Sequence, residues 1–365
     1  MKSIKMVKKI KVGIVGFGKM GKIRMNVINN CPDLSLEGIC DIVPPEQNES
    51  LNCKFYKNYQ ELLKADIDAV FICTPNKFTP EIVMSALNSK RHVFCEKPPG
   101  RNLSDIKNII KAEQENKGLK LKFGFNHRYH GAVMEAESIV ESGKLGKILW
   151  MRGIYGKSGG LGFEKQWRSN KKIAGGGVLL DQGIHMIDLF RLFCGDFQEV
   201  RSFVTNSYWN IDMEDNVFAI LRNEKNQVAM LHSSSTQWKH TFSLEIFLER
   251  GYVIISGILS STRSYGHGER LITARRQFEN EDFVMGNPRE EVTYFDQDRS
   301  WELEVEDFVG CVKNDKKVII GSSGDALKAM ELVYKIYNAD TKWSKGRNKM
   351  ISHKDKVRSW RGELS

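Results

Sequence analysis

The chain has 365 residues, 41% hydrophobic and 27% charged, an ordinary globular composition that excludes a wholly disordered protein. At roughly 100–200 residues per domain the length fits two or three domains, and no run approaches the ~18 apolar residues of a membrane helix. The formal charge of +10 lies in two tails: residues 1–11 hold five lysines and no acid, residues 342–365 hold eight basic groups against two acids, and the remainder is near neutral. A surplus confined to the ends, away from any folded face, argues against a nucleic-acid binder.

The first residues, MKSIKMVKKIKVGIVG, lack the shape of a signal peptide because their apolar run is a short strand ending in glycine. A cytoplasmic protein without a membrane partner is therefore expected. The first part of the chain alternates strand and helix signals. Strands are expected at 10–15, 34–40, 69–73, 92–95 and 119–125. Helices are expected at about 23–31, 59–64, 78–89 and 104–116. Repeated β-α-β units of this length imply a doubly wound parallel sheet with helices on both faces.

Past residue 126 the rhythm changes. A helix near 132–142 leads to an alternating strand at 148–155, a glycine-rich span at 156–177 and a helix at 178–193. Strand-like runs then follow at 199–205, 216–221, 227–233, 242–248 and 252–257, with Glu249-Arg250-Gly251 as a hairpin connection. Helical patterns at 301–312 and 325–338 close the chain. The expected fold is α/β: a Rossmann domain over 1–126, an α+β domain with a large, mostly antiparallel sheet over 127–345, and a basic tail over 346–365. Close packing of the two domains is expected, with the closing helices able to return to the first.

Four constellations carry chemistry. Gly16-Phe17-Gly18-Lys19-Met20-Gly21 follows a strand and opens a helix, the context that makes a G-x-G-x-x-G informative. Its glycines permit a tight turn, approach of a pyrophosphate and close helix–strand packing. Asp41 ends the next strand, 20 residues past Gly21. A carboxylate there accepts ribose hydroxyls and repels a 2′-phosphate, so NAD is favoured over NADP. Thr74-Pro75-Asn76 stands where a buried strand ends. Cys95-Glu96-Lys97-Pro98-Pro99 stands at another strand end, where Lys97 is either a polarising group in the crevice or an exposed loop lysine. Finally Asp181 and His185, spaced i, i+4, share one face of the expected helix. They form either an acid/base couple or a cap and a core histidine. Seven cysteines without a CxxC pair, and no third ligand near Asp181 and His185, predict no metal site.

Together GFGKMG, TPN, EKPPG, GFNHRY, GGGVLLDQGIHMID, SWELEVEDFVGCV and GDALKAMELVYKIY resemble the Gfo/Idh/MocA oxidoreductase family over nearly the whole chain. The resemblance implies an N-terminal Rossmann domain and an open C-terminal sheet that serves as a subunit interface, hence a homodimer or homotetramer. It implies that Lys97 contacts substrate and nicotinamide, that His185 is the acid/base and that Asp181 binds substrate hydroxyls. It also sets Gly16, Phe17, Gly18, Lys19 and Met20 along the pyrophosphate, Asp41 at the adenosine ribose, and Thr74, Pro75, Asn76 and Glu96 beside the nicotinamide half.

The implied reaction is hydride transfer between nicotinamide and a secondary alcohol or ketone of a sugar, nucleotide-sugar or polyol. The segment from Tyr155-Gly156-Lys157 through Gln166-Trp167-Arg168, before the His185 segment, is expected to form one wall of the pocket; its Trp167 and Arg168 suit a sugar face and a phosphate or carboxylate, or ordinary loop packing. Asn126 and Arg128 are further substrate-pocket candidates. A NAD-dependent glycosidase of the same fold and a non-catalytic NAD-binding regulator are the alternatives.

Overall fold

The computed structural model describes residues 9–45, 51–260, 265–276 and 287–346. The outer parts of both basic tails, 1–8 and 347–365, lie outside the described residues. Among the described residues the strands form two sheets. The first contains β1 (Ile10–Val15), β2 (Leu34–Cys40), β3 (Lys54–Tyr56), β4 (Ala69–Ile72), β5 (His92–Glu96) and β6 (Leu121–Gly124). All pairs are parallel, in the order β3-β2-β1-β4-β5-β6. The crossovers are α1 (Lys19–Asn30), α2 (Tyr59–Lys64), α3 (Thr79–Asn88) and α4 (Leu103–Glu115). Every residue of β4 is buried, as expected where helices cover both faces of a parallel sheet. Asn58 and Asn102 cap α2 and α4 through their side chains, which fixes where those helices begin.

The second sheet is built after α5 (Gly131–Glu141). It contains β7 (Ile148–Gly156), β8 (Glu199–Thr205), β9 (Asn216–Arg222), β10 (Val228–Ser234), β11 (Thr241–Leu248), β12 (Gly251–Ile258), β13 (Tyr265–Arg275) and β14 (Glu290–Phe295). Their order is β14-β13-β12-β11-β7-β10-β9-β8, antiparallel except for the β7–β10 pair. β11 alternates buried and half-buried residues along its whole length, the signature of a sheet covered on one face. Between β7 and β8 lie a short α6 (Lys171–Ala174), a π-helical turn at Leu179–Gly183 and α7 (Ile184–Cys194). At Gly153 of β7 a Cβ would lie 2.6 Å from Met186 of α7, so the glycine lets this helix sit close to the sheet.

The last helices are α8 (Ser300–Lys313) and α9 (Ser323–Ala339), the latter opened by a Ser322–Asp325 capping box. α8 returns to the first sheet: Val305, Phe308 and Val309 share a core with Phe71 and Phe94. Those two rings stack at 5.0 Å, with Phe308 edge-on to both.

Three strands depart from the sequence reading. β3 has only three residues, β13 contains glycines with positive φ at 266 and 268, and β14 begins Glu290-Glu291 and is almost wholly exposed. β3 is too short to show a period, the glycines interrupt β13, and in β14 the alternation of Val292 and Tyr294 spans only a few residues. The helix expected at 178–193 is also divided, its first turn being π-helical.

Candidate active site

The loop between β1 and α1 is shaped by its glycines. Gly16 has φ +92°, and a Cβ there would fall 2.7 Å from the backbone of Cys73 at the end of β4. A Cβ on Gly21 would lie 2.1 Å from the carbonyl oxygen of Gly16. Gly18, at the N-cap of α1, faces open space. The helix start has no side-chain cap and no acid in its first turn, so its amides and the positive end of the helix dipole remain available to an anion. Open space beside Gly18 and uncapped amides fit a dinucleotide pyrophosphate. Asp41 stands beside this turn, accepting hydrogen bonds from the amides of Phe17 (2.6 Å) and Val43 (3.0 Å). The Phe17 ring is buried and Lys19 is the first residue of α1.

At the C-terminal edge of the same sheet opens a cavity of about 170 Å³. Its walls include Met20, Thr74, Asn76, Glu96, Lys97, Asn126, His127, His130, Tyr155, Trp167, Arg168, Asp181 and His185. A parallel sheet places strand ends and helix starts together at this edge, where ligands bind in such folds. Thr74 bonds the hydroxyl of Thr79, and Pro75 accepts from the amide of Phe78; both hold the β4–α3 loop. Asn76 is buried and donates to the carbonyl of Ala174 at 2.7 Å, a tie from the β4–α3 loop to the end of α6.

Glu96 occupies the cavity wall while anchoring a buried ionic cluster. Arg24 donates from Nε to Glu96 and from Nη2 to Glu304 of α8, both at 2.7 Å, and its guanidinium lies over the rings of Phe94 and Trp301. Burial raises the Glu304 carboxyl to about 7 despite Arg24. Next in sequence, the Lys97 ammonium donates to the main-chain carbonyl of Asp181. Burial lowers the Lys97 ammonium from its ordinary value, Asp181 opposing that effect.

Asp181 lies in the π turn. Its two oxygens accept from Lys157 Nζ (2.8 Å) and Arg168 Nε (3.2 Å). Burial by itself would raise this carboxyl, but Lys157, Arg168 and Lys97 hold it far below the usual carboxylate range. Asp181 and His185 line the same cavity, but both carboxylate oxygens are engaged by cations and not by the imidazole.

His185 instead stacks on His127, ring centroids 3.7 Å apart and planes 16° from parallel. His127 is fixed at both nitrogens, Nδ1 to Asn126 Oδ1 and Nε2 to the Tyr155 hydroxyl, each at 3.1 Å. Since the amide oxygen can only accept, Nδ1 carries the proton and Nε2 accepts from the phenol. Burial drives the His185 imidazole well below its ordinary value, and His127, Lys97 and His130 push it the same way. His185 Nδ1 is buried without a hydrogen-bond partner among the described residues.

Asn126 also donates to Ser300 at 3.1 Å. Arg128 is a correction to its expected place in the pocket: it does not line this cavity. Its Nε donates to Asp188 Oδ2 at 2.7 Å, its Nη2 to Asp188 Oδ1, and Asp325 lies at 3.4 Å. Residues 126–129 form a 3₁₀ turn, in which each residue swings about a third of a turn from the last. His127, passed over between two chosen neighbours, is thereby on the cavity wall. Tyr155 and Lys157 open the segment expected to wall the pocket: Tyr155 lines the cavity and Lys157 bonds Asp181. The alternation of β7 carried the signal, because Met151, Gly153 and Tyr155 all face inward and Lys157 continues that phase. His130 and Trp301 also line the cavity; Trp301 stands in the SWELEVEDFVGCV stretch, but neither residue was a pocket candidate in the sequence.

Comparison with known proteins bears on this geometry. The model of an oxidoreductase family with an NAD-binding Rossmann fold matches residues 10–125, and that of the GFO/IDH/MocA C-terminal domain matches 133–254. The chain belongs to the Gfo/Idh/MocA oxidoreductases. Its first sheet is thus part of an NAD-binding Rossmann domain. The oxidoreductase YrbE of Bacillus subtilis is 26% identical over 67% of this chain and 73% of that protein. The myo-inositol 2-dehydrogenase of Thermotoga maritima is 26% identical over 69% of this chain and 77% of that protein. In fold, this family member resembles levoglucosan dehydrogenase in complex with NADH, at TM-score 0.81 and 22% identity over 92% of this chain and 98% of that one.

Among the described residues, no group of three or more His, Cys, Asp or Glu is placed to hold a metal ion. No described helix is long and apolar enough to cross a membrane.

Proposed function

We propose that this oxidoreductase is a sugar or polyol dehydrogenase that oxidises a secondary alcohol, or reduces the matching ketone, with His185 as the proton-transfer group. The observation that carries the reading is the His185 imidazole, buried in the wall of a cavity that also presents Lys97 and Asp181, where burial favours its neutral form. Inositol and levoglucosan dehydrogenases among the relatives and fold neighbours support the substrate class.

The glycine turn, Asp41, Thr74, Asn76 and Lys97 would hold NAD, which would supply the hydride acceptor. Asp41 favours NAD over NADP, as its carboxylate repels a 2′-phosphate. His185 takes the hydroxyl proton of the alcohol as its C–H bond breaks. The Lys97 ammonium steadies the negative charge that builds on the alcohol oxygen. Asp181, kept ionised by its cations, accepts hydrogen bonds from ring hydroxyls. His127 positions His185: the face-to-face stack sets the ring plane, and its own two hydrogen bonds prevent it from turning.

We also propose that residues 127–345 assemble a homo-oligomer through the open face of the second sheet. Phe203, Phe218, Ile220, Met230 and Tyr294 are exposed there on β8, β9, β10 and β14, a patch of the kind that marks subunit contacts.

Absorbance at 340 nm with NAD and a panel of inositols, sugars, sugar phosphates and nucleotide sugars tests the reaction. His185→Ala is expected to lower kcat about 10²–10⁴-fold with NADH binding retained. Because the free imidazole is the working base and its pKa is depressed, the acid limb of kcat/KM should fall well below pH ~6.5, the ordinary imidazole value. An unchanged rate in His185→Ala would sink the assignment of the proton-transfer group.

A further inference from the structure

Lys97, Lys157 and Arg168 converge on Asp181, three cations against one carboxylate at the cavity wall. The other carboxylates beside the cavity are already engaged. Glu96 is held by Arg24. The buried Glu269 accepts from His130 Nδ1 and from the amides of Ala132 and Leu259. Glu96 offsets part of the Lys97 charge, but the bonds of Lys157 and Arg168 go to Asp181 and to neither of these carboxylates.

Surplus positive charge is costly at so little-exposed a group as Lys157, and the cost is relieved when an anion arrives. Two of the three cations have donors to spare. Arg168 uses only Nε on Asp181, and its guanidinium lies 4.4 Å over the Trp167 ring. Its side chain is 39% exposed, which leaves the terminal nitrogens within reach of a ligand. A planar guanidinium of this kind makes two parallel bonds to a phosphate or carboxylate. Lys157 spends one N–H on Asp181 and lies 5.6 Å from the Phe163 ring centre, its side chain only 14% exposed.

We propose that the substrate carries an anionic substituent, a phosphate or a carboxylate, held between Arg168 and Lys157 while its hydroxyl-bearing ring lies against His185. The proposal rests on the dehydrogenase reading above and names the substrate class for the same cavity. Trp167 supplies the flat support that keeps the Arg168 fork oriented, and Asp181 holds both cations at fixed separation. The anion therefore meets a preformed site.

Binding distinguishes this proposal from the reaction on which it rests. NADH-loaded protein is titrated calorimetrically with glucose, glucose 6-phosphate and glucuronate at low and at high salt. The phosphorylated or carboxylated sugar is expected to bind at least tenfold more tightly than glucose, an advantage that shrinks with salt and disappears in both Arg168→Ala and Lys157→Met. The phosphate and carboxylate arms show which anion fits. Because the salt series uses the unaltered protein, it remains decisive if either variant folds poorly. Salt-sensitive binding of the anionic sugar, with no NADH formed from NAD by any sugar of the 340 nm panel, would support the anion site and overturn the dehydrogenase reading. Equal binding of glucose and both anionic sugars would overturn the anion site whatever the turnover.

Discussion

The two sheets answer different physical demands. In the parallel sheet, β4 is buried at every position and helices cover both faces. Its ligand edge is set by backbone: a glycine turn, an open helix N-terminus and strand ends that converge because all strands point the same way. In the mixed sheet, buried and exposed residues alternate and one face remains open. Its share of the cavity comes from side chains on a strand, a loop and a π turn. The difference teaches that cofactor recognition is local in the chain, whereas recognition of the reacting substrate is assembled from afar.

The sharpest way to break that comparison is within the glycine turn. Gly21→Ala forces a Cβ to 2.1 Å from the Gly16 carbonyl, a backbone clash expected to cost about 1–3 kcal/mol or more and to abolish cofactor binding. Gly18→Ala meets nothing within 4 Å at a residue with φ −72°. It should fold normally yet bind NADH far more weakly. Thermal melts with and without NADH distinguish the two, and equal loss of stability in both would remove the argument that Gly18 is kept for a ligand.

The open face of the second sheet is tested by Ile220→Glu, a charge placed on an exposed apolar strand position. Sedimentation should show the assembly reduced to smaller species, with the first domain still able to bind NADH. A variant with unchanged mass would exclude this part of the face from the interface.

A smaller effect is expected at the ionic cluster that joins α8 to the first sheet. The Glu304 carboxyl is raised by burial to about 7 in the folded state, above a value of ~4.3 for an unfolded glutamate. Its contribution to stability is present below ~4.3 and is lost as pH rises towards 7, at up to about 1.4 kcal/mol per pH unit. Glu304→Gln removes that dependence. Its stability relative to the parent should improve between pH 5 and 8, as read from denaturant midpoints, and a constant difference would refute the assignment.

How much of this was legible depends on the range of the interaction. Ile10–Val15, the glycine turn and the Asp41 strand end are readable because turn chemistry and helix starts are properties of neighbouring residues. The partners of Asp181 are not readable, for the opposite reason. Spacing sets Asp181 and His185 on one face, and both line the cavity, but two cations from other segments decide what the carboxylate bonds. Arg128 likewise looked available in sequence, but Asp188 and Asp325 meet it only after folding.

By itself the sequence determined the βαβ rhythm, the cofactor turn, the Lys97 and His185 motifs and the family to which they belong. All of these are written in periodicity or in short spacing. Only the tertiary structure decided that His127 stacks on His185, that Lys157 and Arg168 close on Asp181, and that α8 returns to pair Glu304 with Arg24. These contacts join residues from 13 to 280 positions apart. Nothing local prescribes such partners: they are chosen by the burial of charge and by which side chains the two sheets bring to one edge.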